Sequence, residues 1–110
     1  MIYLASPYSH KDKDVMIKRF DLVCEIAAQM MKEGKVLFCP IAHTHPIAQY
    51  GLPLNWEYWE KYDRVMLSKC SEVVVVKMDG WETSKGVAGE IRIAGELGLP
   101  VSYIEPSGDI

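Results

Sequence analysis

Hydrophobic positions change their period several times along the 110-residue chain. Met1 to Ala5 is a continuous apolar run broken by Ser6-Pro7-Tyr8-Ser9, which predicts a buried strand opening onto a loop. From about Lys11 to Glu33, apolar residues recur at Met16, Phe20, Val23, Ala27 and Met30 in steps of four and three, one face of a helix that Gly34 stops. Val36 to Cys39 predicts a second buried strand. Pro40 to Leu54 combines Pro40, Pro46 and Pro53 with Gly51, His43 and His45, and predicts a loop holding at most one short turn. Asn55 is a candidate N-cap for a helix running to about Lys69, and Val73 to Val76 is a β-branched run that suits a central strand. Asp79-Gly80 marks a turn. Thr83 or Ser84 caps a third helix ending at Gly98, with Pro100 beyond it, and Val101 to Ile104 is the last strand.

Strands alternating with helices indicate βαβ units, and strands that are apolar throughout indicate a parallel sheet covered on both faces. The expected fold is therefore α/β: a three-layer, doubly wound sheet of about four to five parallel strands, flavodoxin- or Rossmann-like, forming one domain over residues 1–110. In such sheets ligands bind beyond the carboxyl ends of the strands where the strand order reverses, so the loops after Ala5, Cys39 and Met78 are the places to search.

Composition narrows the partners. Hydrophobic residues make up 49% of the chain and charged residues 25%, with 12 basic against 15 acidic side chains, so the net charge is −3. A mildly acidic chain lacks the basic face that nucleic-acid phosphates require. No apolar run approaches the length of a membrane span, and no basic leader precedes an apolar segment, so neither membrane nor export is expected. Cys24, Cys39 and Cys70 are widely spaced and odd in number, which suits free thiols in a reducing cytoplasm.

Two acids interrupt apolar stripes. Glu90 shares a helix face with Ala94 and Leu97, and Asp63 falls in the series Trp59, Asp63, Met66, Cys70. Periodicity alone favours border positions that reach water or a lysine. Two carboxylates on different helices are also the minimal apparatus for cleaving an acetal-like bond, one attacking the anomeric carbon and one handling the leaving-group proton. Ser84-Lys85-Gly86-Val87-Ala88-Gly89 lies at a helix start, where free N–H groups and a hydroxyl suit an anion, although taken alone an ordinary cap with glycine for helix–sheet packing explains it slightly better. His43-Thr44-His45 lacks a third ligand at a standard spacing, so no metal is expected. Trp56, Tyr58, Trp59 and Tyr62 crowd one short helix and read as packing and subunit contact. No Gly-x-Gly-x-x-Gly follows the first strand and no phosphate-loop pattern occurs, which argues against dinucleotide and triphosphate chemistry; no cofactor is expected.

The opening Ile2-Tyr3-Leu4-Ala5-Ser6-Pro7-Tyr8 and the late segment Ser84-x-Gly86-x-x-x-Glu90-Ile91-x-x-Ala94-x-x-x-Gly98-x-Pro100-Val101 resemble the nucleoside 2-deoxyribosyltransferase superfamily. The order of elements agrees over nearly the whole chain. The resemblance implies Glu90 as nucleophile, Asp63 as the acid that assists the leaving base, and Tyr3 as the residue that orients Glu90. It also implies a substrate pocket drawn from Ser6, Pro7, Tyr8, His43, Trp81, Ser84 and Gly86. Ser84 stands where transferases of free nucleosides commonly have aspartate, as in the related 2′-deoxynucleoside 5′-phosphate N-hydrolases, which implies a 5′-phosphate. The Ala42-His43-Thr44-His45-Pro46 loop, Trp81 and Ser6 are more similar to an uncharacterised bacterial and phage branch.

The expectation is N-glycosidic cleavage or transfer on a nucleoside or its 5′-monophosphate; the alternative is a non-catalytic module that binds a nucleotide-derived metabolite or signal. Family members are homo-oligomers, so a homodimer or larger assembly through the Asn55 to Lys69 helix is expected.

Overall fold

The computed structural model describes residues 1–107. Its elements run β1 (Ile2–Ala5), α1 (Lys13–Lys32), β2 (Leu37–Phe38), α2 (Pro40–Ala48), α3 (Trp56–Ser68), β3 (Glu72–Val76), a 3₁₀ turn (Trp81–Thr83), α4 (Lys85–Leu97) and β4 (Val101–Ile104). The four strands form one sheet in the order β2-β1-β3-β4, and every pairing is parallel. Tyr3 pairs with Val73 and Ala5 with Val75, while Val75 pairs in turn with Tyr103.

Strand alternation divides the core in two. Leu4, Val74, Val76 and Ile104 face one way and pack against Val23, Ile26, Ala27 and Met30 of α1. Tyr3, Ala5, Val73 and Val75 face the other way, against Leu67 of α3 and Val87, Ile93 and Ala94 of α4. Helices thus cover both faces, giving the three-layer α/β arrangement that unbroken apolar strands require. No helix among the described residues is long and apolar enough to cross a membrane.

Local signals set the helix ends. Asp12 caps α1 by accepting from the Asp14 N–H, and Gly34, at φ 87°, lets Lys35 N–H reach Met30 O while its own N–H reaches Met31 O. Gly98, at φ 72°, closes α4 in the same way, with Leu99 N–H on Ala94 O. Both ends satisfy carbonyls that a helix terminus leaves open.

Three expectations need correction. Pro40 to Leu54 is not mainly loop: residues Pro40–Ala48 form α2. Pro40 stands at the first helical position, where its missing N–H costs nothing. Burial of Pro40 and Ala48, with Ile41 and Ala42 against the α1-side core, holds the turns despite Pro46. The second strand shrinks to two residues, because Val36 is 71% exposed at the sheet edge and Cys39 already serves as the α2 N-cap. The inner face of α4 is Val87, Glu90, Ile93 and Ala94; Leu97 lies on the exposed side.

Candidate active site

β1 lies centrally, its α1 crossover leading to β2 on one side, while β3 continues to β4 on the other. The order reverses between β1 and β3, and a cavity of about 330 Å³ opens at that end. Four segments wall it: the loop after β1 (Ser6, Tyr8, Ser9), α2, the start of α3 with Asp63, and the start of α4 with Glu90. This volume falls in the range of small-molecule sites.

Asp63 and Glu90 line it, and Tyr3, which does not, joins them through its hydroxyl. Tyr3 is fully buried on β1, and its hydroxyl donates to Glu90 Oε2. Glu90 is 5% exposed and Asp63 8%. Desolvation pushes the Glu90 carboxyl well above the usual carboxylate range, the nearby Asp63 charge pushes it further, and the Tyr3 hydrogen bond opposes both. Asp63 is pushed up to about 7, chiefly by burial, against the pull of the Tyr3 hydroxyl. Tyr3 is itself held well above its ordinary value by burial and by the two acids. Two carboxylates brought this close in a dry site cannot readily both ionise, so they titrate as a pair. One proton shared by two acids suits proton transfer near neutrality.

The packing of α3 against α4 brings the acids together. Gly89 sits under the Trp56 ring, where an added Cβ would lie 2.2 Å from Trp56 Cζ2, so only glycine allows that approach. Asn55 is the α3 N-cap as expected, but its amide donates to Glu57 and makes no side-chain cap.

Ser84 caps α4 by accepting from Val87 N–H at 3.1 Å, and its O–H remains a donor toward the cavity that it lines with Lys85 and Gly86. The first N–H groups of a helix lack internal partners, which makes this wall suited to an anion. Ser6 lines the floor, and its Oγ is buried without a hydrogen-bond partner. Tyr8 lines the rim, with its hydroxyl on His45 Nδ1.

Three expected pocket residues do not line this cavity. Pro7 is fully buried. His43 is exposed, its ring stacked on Tyr62 at 6.3 Å. Trp81 packs on Tyr103 of β4 and on the α4-side core. Because α2 is helical, His43 and His45 point to different sides: His45 stacks on Phe20 at 4.2 Å. Among the described residues no cluster of three His, Cys, Asp or Glu side chains could hold a metal ion.

Sequence reasoning missed Thr44, Trp56, Trp59 and Lys85 as lining residues. Thr44 lies in a proline-rich stretch that reads as loop, and the two tryptophans belong to an aromatic cluster that reads as packing and subunit contact. Lys85 carried a signal, since it sits between Ser84 and Gly86 in the candidate anion segment.

Among curated proteins, none matches the chain. A family model described as "Domain of unknown function (DUF1937)" matches residues 1–105. With nearly its whole length matched, from the Tyr3 strand through the Glu90 helix to β4, the chain belongs to the DUF1937 family.

Proposed function

We propose that the protein cleaves or transfers the N-glycosidic bond of a nucleoside or nucleoside 5′-monophosphate. The observation that carries this reading is the buried Tyr3–Glu90 hydrogen bond beside Asp63, at a cavity that Asp63 and Glu90 line. A carboxylate oxygen of Glu90 attacks C1′ as the C1′–N bond breaks, and Asp63 delivers its proton to the departing base. Water, deprotonated by Asp63, or a second base then attacks C1′ and frees Glu90. Tyr3 fixes the Glu90 rotamer and favours its ionised form by donating to it. The 5′-phosphate rests on the α4 start, where Ser84 donates and Lys85 adds positive charge.

A second reading draws on the same acids. Burial favours the uncharged form of Glu90, and an uncharged carboxyl is a donor that suits ligand capture without turnover. The chain's three free thiols, with Cys39 held at about 11 by burial and so unreactive, support a reducing compartment such as the cytoplasm.

Chromatography of free base after incubation with a panel of nucleosides and 5′-monophosphates tests the choice. The catalytic reading expects base release that falls at least a thousandfold, roughly, in Glu90→Gln while binding persists. Binding without release in the wild type selects the capture module, and unchanged release in Glu90→Gln removes Glu90 as nucleophile.

A further inference from the structure

Ser6 carries a group that the proposed chemistry leaves unused. It follows β1 directly, is 5% exposed, and lines the cavity floor with Asp63 and Glu90. Its Oγ is the one buried side-chain polar atom without a hydrogen-bond partner among the described residues. A serine at the end of a strand ordinarily satisfies its hydroxyl on nearby backbone N–H groups. The adjacent Pro7 has no N–H to offer. Leaving a buried hydroxyl unmatched works against folding, and an alanine would fill nearly the same space without that cost.

We infer that Ser6 determines specificity: its hydroxyl hydrogen-bonds a hydroxyl of the ligand's sugar ring, and the site favours sugars that carry it. This rests on the proposed reading that a nucleoside sugar lies over Glu90. The polar groups within two bonds of the attacked C1′ and its neighbour C2′ are the base nitrogen, the ring oxygen, which can only accept, and the 2′- and 3′-hydroxyls, which both donate and accept. A neutral hydroxyl that both donates and accepts matches another neutral hydroxyl, whereas the phosphate has its own charged and N–H-rich wall at Ser84 and Lys85. Either the 2′- or the 3′-hydroxyl supplies this chemistry.

The test is titration calorimetry of wild type and Ser6→Ala with the 5′-monophosphates of the four common ribonucleosides and their 2′-deoxy and 3′-deoxy counterparts, with free base assayed in the same mixtures. In the wild type, removing the paired hydroxyl weakens binding about ten- to hundredfold, and the arm that shows the loss names the hydroxyl. In Ser6→Ala that preference disappears, while thermal unfolding of the free variant is unchanged or moves upward. Ser6→Gly provides a second variant without the hydroxyl. Identical hydroxyl preferences with and without Ser6 Oγ overturn the inference, even where base is released. A Ser6-dependent preference without base release upholds it and refutes turnover instead. Binding of no nucleotide in the panel overturns both.

Discussion

Replacing Asp63 with asparagine is expected to stabilise the fold at alkaline pH. The Asp63 carboxyl is 8% exposed and pushed from 3.8 to about 7, with desolvation as the main cause. An acid whose folded pKa is raised contributes stability that is fully present below its unfolded pKa and is lost as pH rises through its folded pKa. A rise of about three units corresponds to roughly 4 kcal/mol, of which about 2 remains to be lost between about pH 5.5 and 8.5. Asparagine keeps the shape and carries no charge, so this loss vanishes and the like charge facing Glu90 goes with it. Near pH 5.5 the variant should lead by about 2 kcal/mol, and near pH 8.5 by about 4, so the gap widens across this range by about 2 kcal/mol, or about 10 °C in Tm. Urea unfolding followed by the fluorescence of the three tryptophans reads both. Parallel loss of stability in the two proteins across this pH range would refute the view of Asp63 as a desolvated acid.

Ser84→Asp keeps the helix cap but places a negative charge at the phosphate wall, so 5′-monophosphates should lose at least tenfold, roughly, relative to free nucleosides in competition binding; an unchanged ratio removes the phosphate from this wall. Self-association is expected through the start of α3, where Leu54 and Tyr58 are 38% and 47% exposed beside the cavity rim. Sedimentation should show a dimer or larger assembly that Tyr58→Glu dissociates, and a 12.5 kDa species at micromolar concentration would contradict it.

The sheet was legible because its strands are short and mostly apolar, as in Tyr3 to Ala5 and Val73 to Val76, and because α1 and α4 have clear stripes with Asp12, Ser84, Gly34 or Gly98 at their ends. α2 was not, because Pro40 and Pro46 dominate a local reading. What stabilises it is contact of Ile41 and Ala42 with a core assembled from α1 and the sheet. Asp63 and Glu90 were visible as acids within apolar stripes, yet periodicity alone favoured border positions that reach water or a lysine. Their meeting with Tyr3 depends on the β1–β3 register and on Trp56 crossing Gly89, neither of which a linear pattern contains. Trp81 was expected at the pocket because it follows a strand end, but the 3₁₀ turn directs it onto Tyr103 instead. The two sides of the α3–α4 contact are also tied at the surface by Arg64–Glu96 and Arg92–Glu60, pairs whose exposed charges add little energy but agree with the same register.

The central claim is that Glu90 becomes covalently bonded to C1′. The measurement that tests it most directly is the intact mass of the protein after rapid acid quenching with a 2′-fluoro nucleoside 5′-monophosphate, which slows release of a glycosyl-enzyme by destabilising positive charge at C1′. The account predicts a mass gain equal to the nucleotide less its free base, that is the fluorinated sugar phosphate less one water, carried on the peptide that contains Glu90 and lost in Glu90→Gln. Free base appearing with no adduct, or an adduct on any other residue, would contradict it.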